Sequence, residues 1–445
     1  MLSVQTKVTL NKGQQEAADG FFEFLLSPEK EMILSGPGGV GKTFLMGYLI
    51  DRVLPQYLEI CAMTGVKEIY EEVVMTATTN KAVEVIATAT QRPAQTIHSF
   101  LNLTIKDDYK TGNSILTRSR SWQVHSRKII FIDECSMIDS QLLKMIHEGT
   151  HQCKVIYIGD HCQLSPITEV ISPIYRMGLP FYELTEPMRN AEQPALMRLC
   201  QQLRDTVETK VFKPIHLVPG VIDRLNDSDM TKQLAITFAQ QTKDSRVLAY
   251  TNQRVVEYND HFRTLRGLPA EYSVGEFLIN NNSFMYGTQL RLGVETEVEV
   301  IQQNKHYRTI NIEGNTNLIV RPTSFKTSLG SVFVDVPLPV NMAYCTSLLK
   351  YYAKLKNWKQ YFYIKDTFPD LRPRDAATVH KAQGSTYDTV FIDLDNLNTC
   401  HNPNIVARML YVAVTRAKSN VIFYGDLAPK YGGIAVTQPL NSTHN

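Results

Sequence analysis

The sequence predicts an α/β fold in two parallel-sheet domains, and three observations carry that expectation. Residues 36–43, GPGGVGKT, form a glycine-rich loop between a short apolar run, EMIL, and a helical pattern beginning FLMGYLIDRVL. The run RKIIFIDECSM reads as a strand buried on both faces, with acids at its C-terminal end, where open parallel sheets place their ligands. Strand-and-loop units of the same kind recur near the far end, as in RMLYVAVTRAKSNVIFYG. At 445 residues the chain exceeds one ordinary core, so two large domains with smaller insertions are expected.

The glycine loop matches the full spacing GxxxxGK[ST], with strand, loop and helix where that motif needs them. Gly36, Gly38, Gly39 and Gly41 let backbone N–H groups converge on phosphate oxygens at a helix N-terminus. Lys42 is then expected to reach the terminal phosphates and the Thr43 hydroxyl to ligate magnesium. The acid strand supplies the rest of that chemistry. Asp133 is placed to hold magnesium through water, and Glu134 to take a proton from the attacking water. A third strand, CKVIYIGDHCQLSPI, carries Gln163 in the loop beyond its end, where an amide suits contact with the γ-phosphate or the water. ATP and Mg2+ are therefore the expected ligands. His151, Cys153, His161 and Cys162 do not make a zinc site on this reading, because the strand between the pairs holds them about 15 Å apart.

A second domain is expected to offer arginines to the nucleotide. Arg189 follows the strand-like stretch in ELTEPMRNAE, and Arg416 follows LYVAVT. Arginine is always charged, and its donor fork matches phosphate oxygens. Arginines arriving from a separate domain would tie hydrolysis to cleft closure. Each also reads as an ordinary surface group. Residues 375–395 contain a polar turn whose Gln383 and Gly384 can face the cleft, leaving Thr378, His380 and Lys381 for a sugar-phosphate backbone.

Two insertions are expected. Residues 102–126 read as a β-hairpin around DDYKTGN, with Arg118, Arg120 and Trp122 as candidate phosphate and stacking contacts; Trp122 equally suits packing of the hairpin on its own domain. Residues 265–365 change to short strands such as TEVEVIQQ, YRTINIE and SVFVDVPLP, followed by the helically spaced, lysine-rich TSLLKYYAKLKNWKQYFYI. Those lysines read either as a solvated face, as phosphate contacts or as part of a brace against the hairpin.

The formal net charge of +2 requires any nucleic acid to be held by a local positive groove. Seven cysteines without a CxxC pair suit a reducing compartment, and no stretch approaches the roughly 20 apolar residues of a membrane span. A cytoplasmic protein without membrane contact is expected.

The ordered set GPGGVGKT, TATTNKAVEVI, TIHSFL, DECSM, GDHCQLSPI, LTEPMR, TVHKAQGSTYDTVFID and YVAVTRAK resembles the superfamily-one DNA helicases of the 5′-to-3′ class. Within them it is most similar to the Dda-type helicases of tailed phages, and more distantly to RecD-type helicases. The resemblance runs from LNKGQQ to about Gly425. It implies two RecA-like motor domains, residues 1–101 with 127–188 and residues 189–264 with 366–445. It also implies that residues 102–126 are the pin that splits a duplex and that residues 265–365 are an SH3-like β-barrel with a basic helical extension. By position Gln14 falls at the adenine-reading glutamine. Thr79, Asn80, His98, Thr378, His380 and Lys381 fall in segments that handle DNA or couple it to ATP. The implied partners are single-stranded and fork DNA, with single-strand-binding or replication proteins as candidates, and the implied state is a monomer. A single-strand-stimulated ATPase that displaces bound proteins without unwinding is the alternative. One departure stands out: relatives often have Ala-Pro-Thr where this chain has Ala77, Thr78 and Thr79, which predicts a looser loop.

Overall fold

A computed structural model describes residues 9–65, 70–166, 169, 171–186, 193–287, 290–328 and 330–435. The chain divides into two compact units, Met1–Thr104 with Arg118–Pro194, and Ile105–Thr117 with Ala195–Asn445. Among the described residues no helix is long and apolar enough to cross a membrane.

The first unit is built on a six-stranded sheet. Its spatial order is Phe181–Glu183, Glu31–Ser35, Lys154–Gly159, Lys128–Asp133, Glu72–Ala77 and Gln95–Thr96, with every pairing parallel. The central strands are apolar runs buried on both faces, as KVIYIG and KIIFID are here. Helices cover the sheet. Phe21, Phe24 and Leu25 of the helix Lys12–Leu26 pack with Met32, Leu34, Leu45, Leu49, Phe131 and Ile156 in one core. After the glycine loop, the helix Lys42–Tyr48 passes through a π turn, Leu49–Val53, into Leu54–Thr64.

The predicted hairpin forms from Leu103–Asp107 and Ser114–Arg118, closed by Asp108 N–H to Asn113 O at 2.8 Å. Its tip is packed within the second unit. Trp358 lies so close to Gly112 that a Cβ there would come within 2.4 Å of the ring. Tyr109 meets Phe362 edge-on, centroids 5.0 Å apart, and Lys365 Nζ reaches Asp107 Oδ1 at 3.3 Å and Ser114 Oγ at 3.0 Å.

The second unit contains a five-stranded parallel sheet, in the order Ile222–Leu225, Ala417–Tyr424, Tyr387–Asp393, Ser245–Ala249 and Ala376–Thr378. Phe238, Val247, Phe262 and Phe391 lie in one of its cores. Between Ser245–Ala249 and Ala376–Thr378 the chain builds antiparallel structure. Arg308–Glu313, Thr316–Thr327, Glu297–Gln303, Phe277–Asn280 and Leu371–Pro373 pair in that order, and Val332–Pro339 joins Thr316–Thr327. Register shifts between Val300 and Gln302 and between Thr323 and Phe325 bend the ladder. Leu278, Val298, Phe325 and Phe333 form its core.

The lysine-rich stretch folds as two helices, Met342–Lys354 and Trp358–Thr367. The break comes where Lys356 takes φ +56° and Asn357 caps the second helix through Gln360 N–H. Cys345, Leu348, Tyr352 and Ile364 bury one side of the pair against Ile312, Leu318 and Val320.

Candidate functional site

In the first unit the ends of three neighbouring parallel strands converge on the glycine loop. Gly36 N–H donates to Gly159 O at 3.0 Å, which ties the start of the loop to the end of Lys154–Gly159. Gly36 cannot be replaced without moving backbone, since a Cβ would stand 2.5 Å from Leu184 O. Gly41, the N-cap of the helix Lys42–Tyr48, has φ +83°, a conformation that glycine adopts without the Cβ penalty. Gly39 is likewise left-handed at φ +88°, whereas the Cβ position of Gly38 is open. Lys42 Nζ lies back over this loop, donating to Gly36 O at 2.7 Å and Pro37 O at 2.9 Å. Thr43 follows in the same helical turn and is half-buried.

Gln14, expected at the adenine, is fully buried at 0% exposure. Its Oε1 accepts from Asn11 N–H at 3.2 Å, completing a capping box, and its Nε2 donates to Val40 O at 3.3 Å. The amide thus braces the loop from within the core.

Asp133 ends the acid strand, and its Oδ1 accepts from Glu134 N–H at 2.8 Å. Burial, reinforced by the neighbouring Glu134 and opposed by Lys42, pushes the Asp133 carboxyl up to about 7. Glu134 adopts the left-handed conformation, φ +53° and ψ +40°, which costs a non-glycine residue about 1 to 2 kcal/mol and holds the chain in a sharp turn. Beside it the Cys135 thiol, pushed up to about 12 by burial, stays neutral. Two carboxyls and one lysine leave the site short of positive charge. A divalent cation would supply it, and the donor set of Thr43 and Asp133 fits magnesium. Gln163 is buried, with its N–H on Asp160 O at 3.1 Å, and Ser35 Oγ meets His161 Nδ1 at 3.2 Å.

The residues of the first unit expected at nucleic acid follow strands of the same sheet. Thr79 caps the helix Asn80–Thr90 by accepting from Ala82 N–H at 3.2 Å. His98 lies in the short helix Ile97–Phe100, which Thr96 caps. The Thr78 departure gives the loop two bonds of its own. Thr78 N–H donates to Asp133 O at 3.2 Å and Thr78 Oγ1 to Glu134 O at 3.1 Å, bonds that a proline there lacks the groups to make. Sequence reasoning missed this role for Thr78, and the departure itself was the signal. Trp122 is half-buried against Gly149, which closes the helix Ser140–Gly149, and carries the Arg118 guanidinium 4.7 Å over its ring. Arg118 is also paired with Glu148, while Arg120 is exposed.

In the second unit Thr378 ends its strand and accepts Lys381 N–H at 3.3 Å. His380 lies 6.4 Å from Tyr250, ring to ring, and burial lowers its pKa. Lys381 Nζ pairs with Glu295 Oε1 at 3.2 Å. The turn continues through Gln383 to Gly384, at φ +78°. Arg416 grips it from behind and is only 5% exposed: Nη1 donates to Ser385 O at 3.0 Å, Nε to Val412 O at 3.2 Å, and Tyr387 N–H donates to Arg416 O at 2.8 Å. Arg189 lies outside the described residues.

A glycine cradle at a helix N-terminus, with a lysine and two strand-end acids beside it, is a nucleotide-hydrolysing site in a P-loop fold. An AAA domain model matches residues 9–216, and a UvrD-like helicase C-terminal domain model matches residues 375–424, on the second parallel sheet. Together they give the chain the domain architecture of a P-loop, ATP-hydrolysing helicase.

Two curated relatives align over nearly the whole chain. One is the ATP-dependent DNA helicase dda of Enterobacteria phage T4, 21% identical over 453 residues, with 93% of this chain and 99% of that protein covered. The other is the uncharacterized protein R530 of Acanthamoeba polyphaga mimivirus, 22% identical over 506 residues with the same coverage, 93% and 99%. Among solved structures, a Pif1 helicase from Bacteroides in complex with ADP-AlF3 and ssDNA is similar in fold, with a TM-score of 0.53 at 14% identity and 97% of this chain and 95% of that one covered.

Proposed function

We propose that the chain is a Dda-type DNA helicase, which moves 5′ to 3′ on single-stranded DNA and unwinds duplex by hydrolysing ATP. The observation that supports this most directly is the convergence of Lys42, Asp133 and Glu134 at one sheet edge, beside Thr78 and Thr79, whose loop belongs to the strand-handling set. Lys42 leaves the loop carbonyls it now occupies and turns to the terminal phosphates. Glu134 receives a proton from the attacking water, and Gln163 orients that water. Thr43 and Asp133 would hold magnesium, which would supply the positive charge that the phosphates need. Arg189 and Arg416 approach as the cleft between the motor domains closes, with Gln383 and Gly384 lining it.

The two motor domains are residues 1–101 with 127–188 and 189–264 with 366–445, and the antiparallel insertion at 265–365 is read as the SH3-like module. Asn80, His98, His380 and Lys381 hold the strand, and the hairpin at 102–126 serves as the pin. A packed hairpin tip favours unwinding over simple displacement of bound protein, because a wedge has to bear load. Duplexes with a 5′ or a 3′ single-stranded tail test the reading. ATP-driven strand release from the 5′-tailed substrate alone is expected, and DNA-stimulated hydrolysis with neither product would defeat it.

A further inference from the structure

The turn between the strands Leu290–Leu292 and Glu297–Gln303 delivers an acid to the motif turn of the second unit. Glu295 stands there at φ +61°, its N–H held by Asn280 O at 2.8 Å, and its carboxylate meets Lys381 Nζ at 3.2 Å. The contact is an ion pair without hydrogen-bond alignment, since Glu295 Oε1 has no hydrogen-bond partner. Arg372 also lies near, but Asp370 holds it through two bonds of 3.0 Å.

The crevice lined by Asn252, Asn281, Glu295, Thr378 and Lys381 has a free volume of about 30 Å3, room for one or two waters and not for a phosphate. A lysine whose paired carboxylate oxygen makes no hydrogen bond, in a crevice that also holds Thr378, is a seat for an anion with more oxygens than a carboxylate offers.

We propose that Glu295 is a built-in stand-in for a backbone phosphate, filling a seat made by Lys381 and Thr378, so that a single strand must displace it to be gripped. This rests on the reading that the strand passes residues 378–381. The seat makes Glu295 a determinant of single-strand affinity that the sequence motifs do not mark. Displacement returns the carboxylate to water, and Thr378 and Lys381 then receive the phosphate oxygens.

The test is fluorescence anisotropy of labelled oligothymidylate over a salt series, with Glu295→Gln, Lys381→Ala and the double variant in the full chain. Removing the competing charge in Glu295→Gln is expected to tighten binding by about fivefold, the worth of one ion pair. Lys381→Ala is expected to weaken binding and to make the logarithmic salt slope shallower by about 0.7, one single-strand phosphate. The double variant is expected to match Lys381→Ala. Glu295→Asp, one methylene shorter, is expected to fall between wild type and Glu295→Gln, and thermal melts check that each variant is folded. Unchanged or weaker binding by Glu295→Gln overturns the proposal, as does an equal gain in the Lys381→Ala background, which would reflect net charge alone. If Lys381→Ala keeps the wild-type affinity and slope, the strand path itself is wrong; if Lys381→Ala weakens binding and Glu295→Gln does nothing, only the seat is.

Discussion

Replacing Tyr109 and Trp358 by alanine separates the hairpin tip from the helix Trp358–Thr367 without touching the glycine loop. The edge-on Tyr109–Phe362 pair, 5.0 Å between centroids, contributes about 1 kcal/mol beyond its burial. Tyr109 is 57% exposed, so the pair is the main thing its ring does for the fold. The Trp358 face against Gly112 covers on the order of 50 Å2, or about 1 kcal/mol of apolar burial. Together the two changes cost about 2 kcal/mol of docking, which shifts the balance of docked and free tip by about 30-fold. The Lys365–Asp107 pair, partly exposed, remains and contributes little alone. The assay is single-turnover unwinding of a 5′-tailed duplex beside single-strand-stimulated ATP hydrolysis. Unwinding is expected to fall by about tenfold or more, because a free tip yields to the duplex, while hydrolysis stays at the wild-type rate. Unwinding at the wild-type rate, or a parallel loss of both activities, refutes the reasoning.

Lys42→Ala removes the only described side chain that bonds both Gly36 O and Pro37 O; hydrolysis is expected to fall by at least about a hundredfold with DNA binding retained, measured by phosphate release and anisotropy. Arg416→Lys keeps the charge but loses the fork that holds Ser385 O and Val412 O, and a loss of about a thousandfold in hydrolysis is expected in a phosphate-release assay. Thr78→Pro restores the residue common in relatives yet deletes two bonds to the acid turn, so a stability loss of about 1 to 2 kcal/mol by urea unfolding is expected; a gain would show that proline's rigidity outweighs them.

His147→Ala probes a charge pair under the glycine-loop strand. The Glu31 bond raises His147 above its ordinary 6.5, against burial; burial opposes the lowering of Glu31 below 4.5, but bonds from His147 and Tyr157 outweigh it. The histidine's contribution is full below 6.5 and is lost as pH rises through its folded value, while the glutamate's is present above 4.5 and is lost as pH falls through its own. The stability gap between wild type and variant is therefore expected to be widest between pH 4.5 and 6.5 and to close above it, as read by urea unfolding across pH.

Local signals carried much of the fold. The spacing of the glycine loop, the apolar runs ending in acids and the turn-rich DDYKTGN each fix their own backbone, and the parallel sheets and hairpin follow from them. What the sequence left out are partners distant along the chain. Periodicity marks Trp358 as helical but not as the cover for Gly112, and nothing local announces that Glu295 stands against Lys381. The break before Trp358 is equally quiet, because Lys356 and Asn357 are ordinary helix-surface residues until a left-handed turn makes the second one a cap. Gln14 shows the same limit from the other side: its position in the chain points to a base, while its capping box and its bond to Val40 point inward.

The grip of Arg416 on the turn behind it has a mechanical corollary. Its guanidinium holds Ser385 O while its own carbonyl takes Tyr387 N–H, so one residue clasps both flanks of the bend. A rotation of that side chain must either let Ser385 go or drag the bend along, which on the proposed function would couple nucleotide contact to the turn at 378–385. Such a linkage behaves as a ratchet pawl, and its stroke is bounded by how far one hydrogen bond can stretch before it parts.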